Sequence, residues 1–323
     1  MDENESISKN YSCTYSDTVA VSMYPAVYST FFIIGLPGNC LSLYVAWVQM
    51  QKGNSLGVYL VNLSISDLLY IITLPVWIMI AMDQPVNDTL CSLIAVIMYN
   101  SFYVGSGLLC CISMDRYLAV VFPLYFARVH TVQTAAFVSM FVWLIEISVH
   151  IGLLAYTYKL QEFSSSQLCK VKIPMDSRSA NVAIIRVALS FLVPLFLMVF
   201  CFHQIMMSLK RSASTSTSER VKIRNLLCIL LVVYMVSFTP YQVVMIVIRL
   251  LENKNNNCEF VQQQRNCYTV FVATTTINSV LDPIVYCLNT ESAKAEILRV
   301  YTVCRHQLSR AVSVMALSSS NDC

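Results

Sequence analysis

The sequence predicts an all-α membrane protein, a bundle of seven membrane-spanning helices followed by a short amphipathic eighth. Three observations predict it. Hydrophobic residues fill 57% of the 323 positions and charged residues only 12%, against roughly 25% charged in soluble domains. Mean hydropathy is +0.62, and seven separate stretches supply the ~20 apolar residues that cross a bilayer. The polar segments between them are short, so no linker leaves room for a second soluble domain.

The first apolar stretch, 24–50, follows a tail that carries Asp2, Glu3, Glu5 and Asp17 without an apolar core, so this stretch itself is expected to act as the insertion signal. The second, 56–82, places Asp67 mid-span, and the third, 90–121, ends on Asp115-Arg116-Tyr117. The fourth, 132–156, contains Glu146, and the fifth, 180–209, contains Arg186 and Pro194. A hydroxyl-rich loop with Ser212, Ser214, Thr215, Ser216, Thr217 and Ser218 leads to the sixth, 221–250. It is a candidate for phosphorylation and arrestin recruitment. The seventh, 267–289, carries Asp282-Pro283, after which Leu298, Tyr301 and Cys304 recur every three residues. That spacing predicts an amphipathic surface helix with Cys304 as a palmitoylation candidate. The domain division is therefore a tail at 1–23, a seven-helix domain at 24–289, and a surface helix with a second tail at 290–323.

Charge sets the orientation. Taking the N-terminus and every second loop as one side, the opposite side carries twelve basic residues against five acidic ones. By the positive-inside bias the N-terminus is outside and the C-terminus cytosolic, as in a multi-pass plasma-membrane protein. Glycosylation sequons at Asn4, Asn10 and Asn87 fall on the same outer side, whereas a fourth match at Asn62 lies inside a span and cannot be used. Five cysteines, Cys13, Cys91, Cys169, Cys258 and Cys267, face that oxidising side, and five cannot all pair.

Several function classes drop out. A net charge of +3, from 21 basic and 18 acidic residues, gives no stripe for a nucleic acid. There is no metal-ligand helix, nucleophile elbow or Gly-rich phosphate loop, so neither an enzyme nor a metal site is expected. The seventh span has no lysine for a retinal Schiff base. A channel or transporter is a remote alternative, disfavoured because no internal repeat is visible.

The motifs resemble those of rhodopsin-like (class A) G-protein-coupled receptors over essentially the whole chain. They are Gly38-Asn39 in span one, Leu63-x-x-x-Asp67 in span two, and Cys91 and Asp115-Arg116-Tyr117 at the two ends of span three. Trp143, Pro194, Phe238-Thr239-Pro240-Tyr241 and Asp282-Pro283-x-x-Tyr286 follow in spans four to seven. More narrowly, Asn54 to Leu60, Thr73 to Trp77 and Cys110 to Tyr117 are similar to the proton-sensing, lysolipid- and oxidised-fatty-acid-responsive cluster. Met175-Asp176-Ser177-Arg178 leans toward its lipid-responsive member.

The resemblance implies activation by extracellular protons, an anionic lipid or both, with coupling to a heterotrimeric G protein. It implies a bond between Cys91 and Cys169 and, through an aligned relative, another between Cys13 and Cys258, with Cys267 left free. It places Asp115, Arg116, Tyr117 and Tyr286 in the coupling switch. Asp67, Asn278, Ser279 and Asp282 correspond to a sodium cavity, although Gly105 stands where a serine is usual; no other cofactor is implied.

Three carboxylates mid-span, Asp67, Glu146 and Asp282, resist carrying their charges together in a low dielectric, which makes protons a candidate ligand. The resemblance points to the same trio. Arg186, with Tyr99, Phe102, Tyr103, Phe238, Tyr241 and Tyr268 around it, reads as a mostly apolar pocket with one fixed cation, suited to a lipid carboxylate or phosphate. Arg249 is a second cation candidate. None of the four histidines, His130, His150, His203 and His306, lies in an outer loop. That absence keeps a purely lipid-activated receptor in play as the alternative to a proton sensor.

Overall fold

A computed structural model describes residues 16–157, 173, 177–211, 217–251 and 257–289, and beyond them 294, 295, 298, 299, 302 and 305. Among the described residues the chain is helical and contains no strand. Six helical stretches are long and apolar enough to cross a membrane: Thr18–Gln51, Ser55–Ala81, Asp88–Val121, Val132–Tyr156, Ser177–Lys210 and Ile223–Leu251. The seventh consists of two helices end to end, of 17 and 14 residues, each too short to cross alone.

Asn54 and Gly53 make the first turn. α1 (Thr18–Gln51) ends there, Gly53 adopts φ +83°, and the Asn54 side chain accepts from Leu56 N at 3.1 Å to start α2 (Ser55–Ile71). Gly57 then lies so close to α1 that a Cβ would stand 2.7 Å from Met50 N and 2.9 Å from the Ala46 carbonyl oxygen. Span two breaks ahead of Pro75, which cannot donate a backbone hydrogen bond, and resumes as α3 (Leu74–Ala81). Asn87 caps α4 (Asp88–Val121) through Oδ1, accepting from Thr89 N at 2.9 Å and Leu90 N at 3.3 Å.

A short helix, α5 (Pro123–Val129), leads to α6 (Val132–Tyr156). Span five runs as α7 (Ser177–Val187), a wide turn at Ala188–Leu192 and α8 (Val193–Arg211). Span six is α9 (Thr217–Leu251), and span seven is α10 (Cys258–Thr274) followed by α11 (Thr276–Asn289).

Two prolines leave carbonyls that a neighbouring helix fills. Pro194 cannot bond the carbonyl four residues back, and Ser106 Oγ on α4 donates to that Ser190 oxygen at 2.9 Å. Pro283 likewise leaves the Ser279 carbonyl, which accepts from Asn39 Nδ2 on α1 at 2.7 Å. Such bonds lock helix to helix where apolar packing against lipid gives no net drive. α1 packs on α2, α2 on α4, α4 on α8, and α11 closes back onto α1 and α9, while α6 rests on α2 and α4. Trp143 Nε1 ties α6 to α2 by donating to Asn62 Oδ1 at 3.1 Å, so Asn62 is a half-buried structural amide rather than a sugar site.

One boundary departs from the sequence reading. Span seven was expected from 267, yet the helix begins at Cys258, with Asn257 capping it through Glu259 N at 3.3 Å. Gln262, Gln263, Gln264, Arg265 and Asn266 interrupt the apolar run, so an apolar count reads a loop where a polar helix stands. Cys267 is consequently inside α10. Beyond 289, Lys294, Ala295, Leu298, Arg299, Thr302 and Arg305 are helical, and Thr302 Oγ1 donates to the Leu298 carbonyl one turn back at 2.7 Å.

Candidate functional site

The bundle holds two clusters near its middle and a third at the end away from the N-terminus. In the first, Asp67 on α2 and Asp282 on α11 are both buried and interact electrostatically, with Ser279 bonded to Asp67. Asn278 Nδ2 donates to Asp282 Oδ2 at 2.7 Å. Asp67 Oδ2, Asp282 Oδ1, Asn278 Oδ1 and Asn39 Oδ1 are buried oxygens with no protein donor. An all-oxygen set with anionic members is the chemistry a hard cation prefers, and these residues would hold a sodium ion, whose single charge would offset one of the two acids. A Cβ on Gly105 would meet Ser66 Oγ at 3.6 Å and Leu63 Cδ1 at 3.9 Å, ordinary contact distances. Among the described residues no three His, Cys, Asp or Glu side chains converge as a metal site.

The second cluster separates Glu146 from the acid trio in which the sequence places it. Glu146 Oε2 lies 3.0 Å from Arg186 Nη1, across spans four and five, with the side chains 15% and 8% exposed. The reason is electrostatic, since a cation and an anion inside a bilayer each lack a partner and pair together at lower cost than either remains alone. Arg186 also lies over the Tyr103 ring, 4.1 Å from its centroid. His150, one turn along α6 from Glu146, is buried and feels the same guanidinium. One of the proton candidates, Glu146, and the anion-binding candidate, Arg186, are therefore joined in one group.

Around this pair the predicted rings form a continuous belt. Phe102 stacks on Phe238 at 4.6 Å between centroids and meets Tyr103 at 5.0 Å and Tyr241 at 6.1 Å. Tyr241 faces Tyr268 at 6.1 Å, and Tyr268 and Tyr99 share a hydroxyl hydrogen bond of 2.8 Å. The belt extends to Tyr234 and Phe191, which sequence reasoning missed. Tyr234 stacks on Phe238 at 4.5 Å and on Phe191 at 5.9 Å, and its hydroxyl contacts Ser106 Oγ at 2.9 Å. Tyr234, Phe238 and Tyr241 recur at the helical spacing of four and three, the one sequence signal that would have found the first of them. Tyr70, bonded to Thr275 Oγ1 at 2.9 Å and Thr276 Oγ1 at 3.2 Å, was also missed. Arg249 is not in the belt; it stands at the end of α9, with Nη2 3.5 Å from Asn181 Oδ1.

At the far end, Arg116 Nη2 and Nε lie 2.5 and 3.2 Å from Asp115 Oδ2. Tyr117 packs between Phe122 and Phe200. The side chain of Tyr286 lies outside the described residues, as do Cys304, Asn4, Asn10 and the loop from Ser212 to Ser216. Near the N-terminal end, Cys91 and Cys258 are each disulfide-bonded and Cys267 is free. Cys13 and Cys169, the partners the resemblance implies, lie outside the described residues. Arg265 Nη2 meets Asp17 Oδ1 at 2.9 Å and Gln262 Nε2 donates to the Ser16 carbonyl at 2.7 Å, which fastens the start of α1 to α10.

A bundle of this order, with a buried acid pair in spans two and seven and an Asp-Arg pair ending span three, defines a seven-helix membrane receptor. The chain belongs to the family described as 7 transmembrane receptor (rhodopsin family), which it matches over residues 38–286. It is 33% identical to mouse (Mus musculus) G-protein coupled receptor 68 over 94% of this chain and 82% of that protein. To human (Homo sapiens) G-protein coupled receptor 65 it is 32% identical, over 87% of each chain. To human lysophosphatidic acid receptor 6 it is 27% identical, over 88% of this chain and 86% of that protein. It is a multi-pass membrane receptor that couples to G proteins, not an enzyme.

Proposed function

We propose that this receptor is activated jointly by extracellular protons and an anionic lipid, and that both act on the Arg186–Glu146 pair. In this reading it stands in the plasma membrane with its N-terminus outside, signals through a heterotrimeric G protein and is silenced by arrestin at the loop around Ser212 to Ser218. The observation that carries the reading is the 3.0 Å contact itself. A lipid phosphate or carboxylate that takes Arg186 must displace Glu146, and a protonated Glu146 no longer holds the guanidinium by charge. Acid and lipid then push in one direction. The ring belt supplies the apolar walls for an acyl chain, and the single cation sets the headgroup charge. One relative's name, lysophosphatidic acid receptor 6, fits a ligand of this chemistry.

The Asp67 and Asp282 pair is the second titrating group in this scheme. Protonation, or sodium held by Asp67, Asn278, Ser279 and Asp282, relieves the repulsion between two buried carboxylates.

The test is second-messenger output measured against pH in cells kept with and without delipidated serum. The proposal expects acid to shift the lipid response to lower concentration and delipidation to blunt the acid response. A lipid response identical at every pH would leave the purely lipid-activated receptor, the reading that the lack of outer histidines favours.

A further inference from the structure

At the G-protein end of the bundle a histidine completes a cluster that neither the proton nor the lipid chemistry uses. His130 follows α5, and its ring lies against Phe126 with 3.9 Å between centroids. Nδ1 of that ring is 3.2 Å from Asp115 Oδ1, and Ser55 Oγ is 2.5 Å from the other ring nitrogen, Nε2. Ser55 is the buried first residue of α2. Asp115 uses its other oxygen, Oδ2, for both contacts with Arg116. The carboxylate is thus held on one side by Arg116 and on the other by the loop between spans three and four. The foot of span two braces the ring that does the holding.

We propose that His130 is a positioning residue for the coupling switch: it fixes the Asp115 carboxylate so that Oδ2 caps Arg116, and thereby ties the loop helix α5 to the state of that arginine. A carboxylate anchored at one oxygen only can rotate away, whereas one anchored at both presents Oδ2 in a single direction. Arg116 must leave Asp115 to meet an inserted G-protein helix. Loss of the imidazole therefore releases Arg116 more readily and favours the coupling-competent state without agonist. Loss of one polar contact to a charged group corresponds to about tenfold in that equilibrium.

The experiment is agonist-free nucleotide exchange by purified G protein on membranes carrying equal amounts of receptor. His130→Phe keeps the ring against Phe126 and removes both nitrogens; it is expected to raise basal exchange per receptor about tenfold. His130→Asn, which retains a side-chain donor, should recover a good part of the silence. In a double-mutant cycle, Asp115→Asn raises basal exchange by itself and His130→Phe adds nothing to it, because the anchor acts only through that carboxylate. Unchanged basal exchange in His130→Phe, or full additivity with Asp115→Asn, overturns the proposal. If His130→Phe fails to reach the membrane, His130→Asn against Asp115→Asn supplies the same cycle, and full additivity there is equally decisive.

Discussion

Replacing Glu146 by glutamine removes its charge and keeps its shape, and the Arg186–Glu146 geometry gives the outcome a sign. Both side chains are largely buried, at 8% and 15% exposure, and the contact is 3.0 Å. Close charge pairs of this kind show couplings of about 1.5–7 kcal/mol. The glutamine amide oxygen still accepts a hydrogen bond, so the lower end applies, and ~1.4 kcal/mol is tenfold. Glu146→Gln is therefore expected to lower the half-maximal concentration of an anionic single-chain lipid about tenfold at neutral pH. Arg186→Ala should raise it by more than that. The pH dependence follows by linkage. Lipid binding leaves Glu146 without its cation and so favours its protonated form, and affinity therefore rises as pH falls, by at most ~tenfold per unit. The assay is a lipid dose response in delipidated medium at two pH values, with surface expression counted separately. Wild type should shift between them, and Glu146→Gln should sit at the acid position at both. A variant that kept the full pH shift would refute the reasoning, and if His150→Phe then erased that shift, the buried histidine would be the sensor.

Other expectations concern the rest of the bundle. Gly105→Ser adds the hydroxyl that the resemblance implies for the sodium cavity, at ordinary contact distances from Ser66 and Leu63, so it should express normally and strengthen inhibition of basal signalling by sodium; a sodium titration of basal output checks it. Gly57→Ala forces a Cβ to 2.7 Å from Met50 N, and overpacking of this kind costs about 1–3 kcal/mol, read as a lower melting temperature in detergent. Peptide mapping under non-reducing conditions should join Cys91 to Cys169 and Cys13 to Cys258 and find Cys267 open to alkylation. A peptide joining Cys258 to Cys267 would remove the second bridge.

The amino-acid order alone was enough for the spans, because crossing a bilayer demands long apolar runs that composition displays directly. It was also enough for the family, since its motifs occur in order on successive spans, and for the chemistry of Asp67, Glu146, Arg186 and Asp282, since ionisable groups stand out in an apolar run. It failed at the top of span seven, where polar residues from Gln262 to Asn266 hide a helix that hydrogen-bonds internally whatever its side chains. Partnership was beyond it altogether. Glu146 looked like a third member of an acid trio, and only the packing of spans four and five brought Arg186 to it at 3.0 Å and left Asp67 with Asp282. His130 gave no signal in the chain, because its value lies in meeting Asp115 and Ser55, fifteen and seventy-five residues away. A charge is a property of one residue and can be read there; a charge pair depends on two helices and their rotation about their axes, which the folded bundle alone decides.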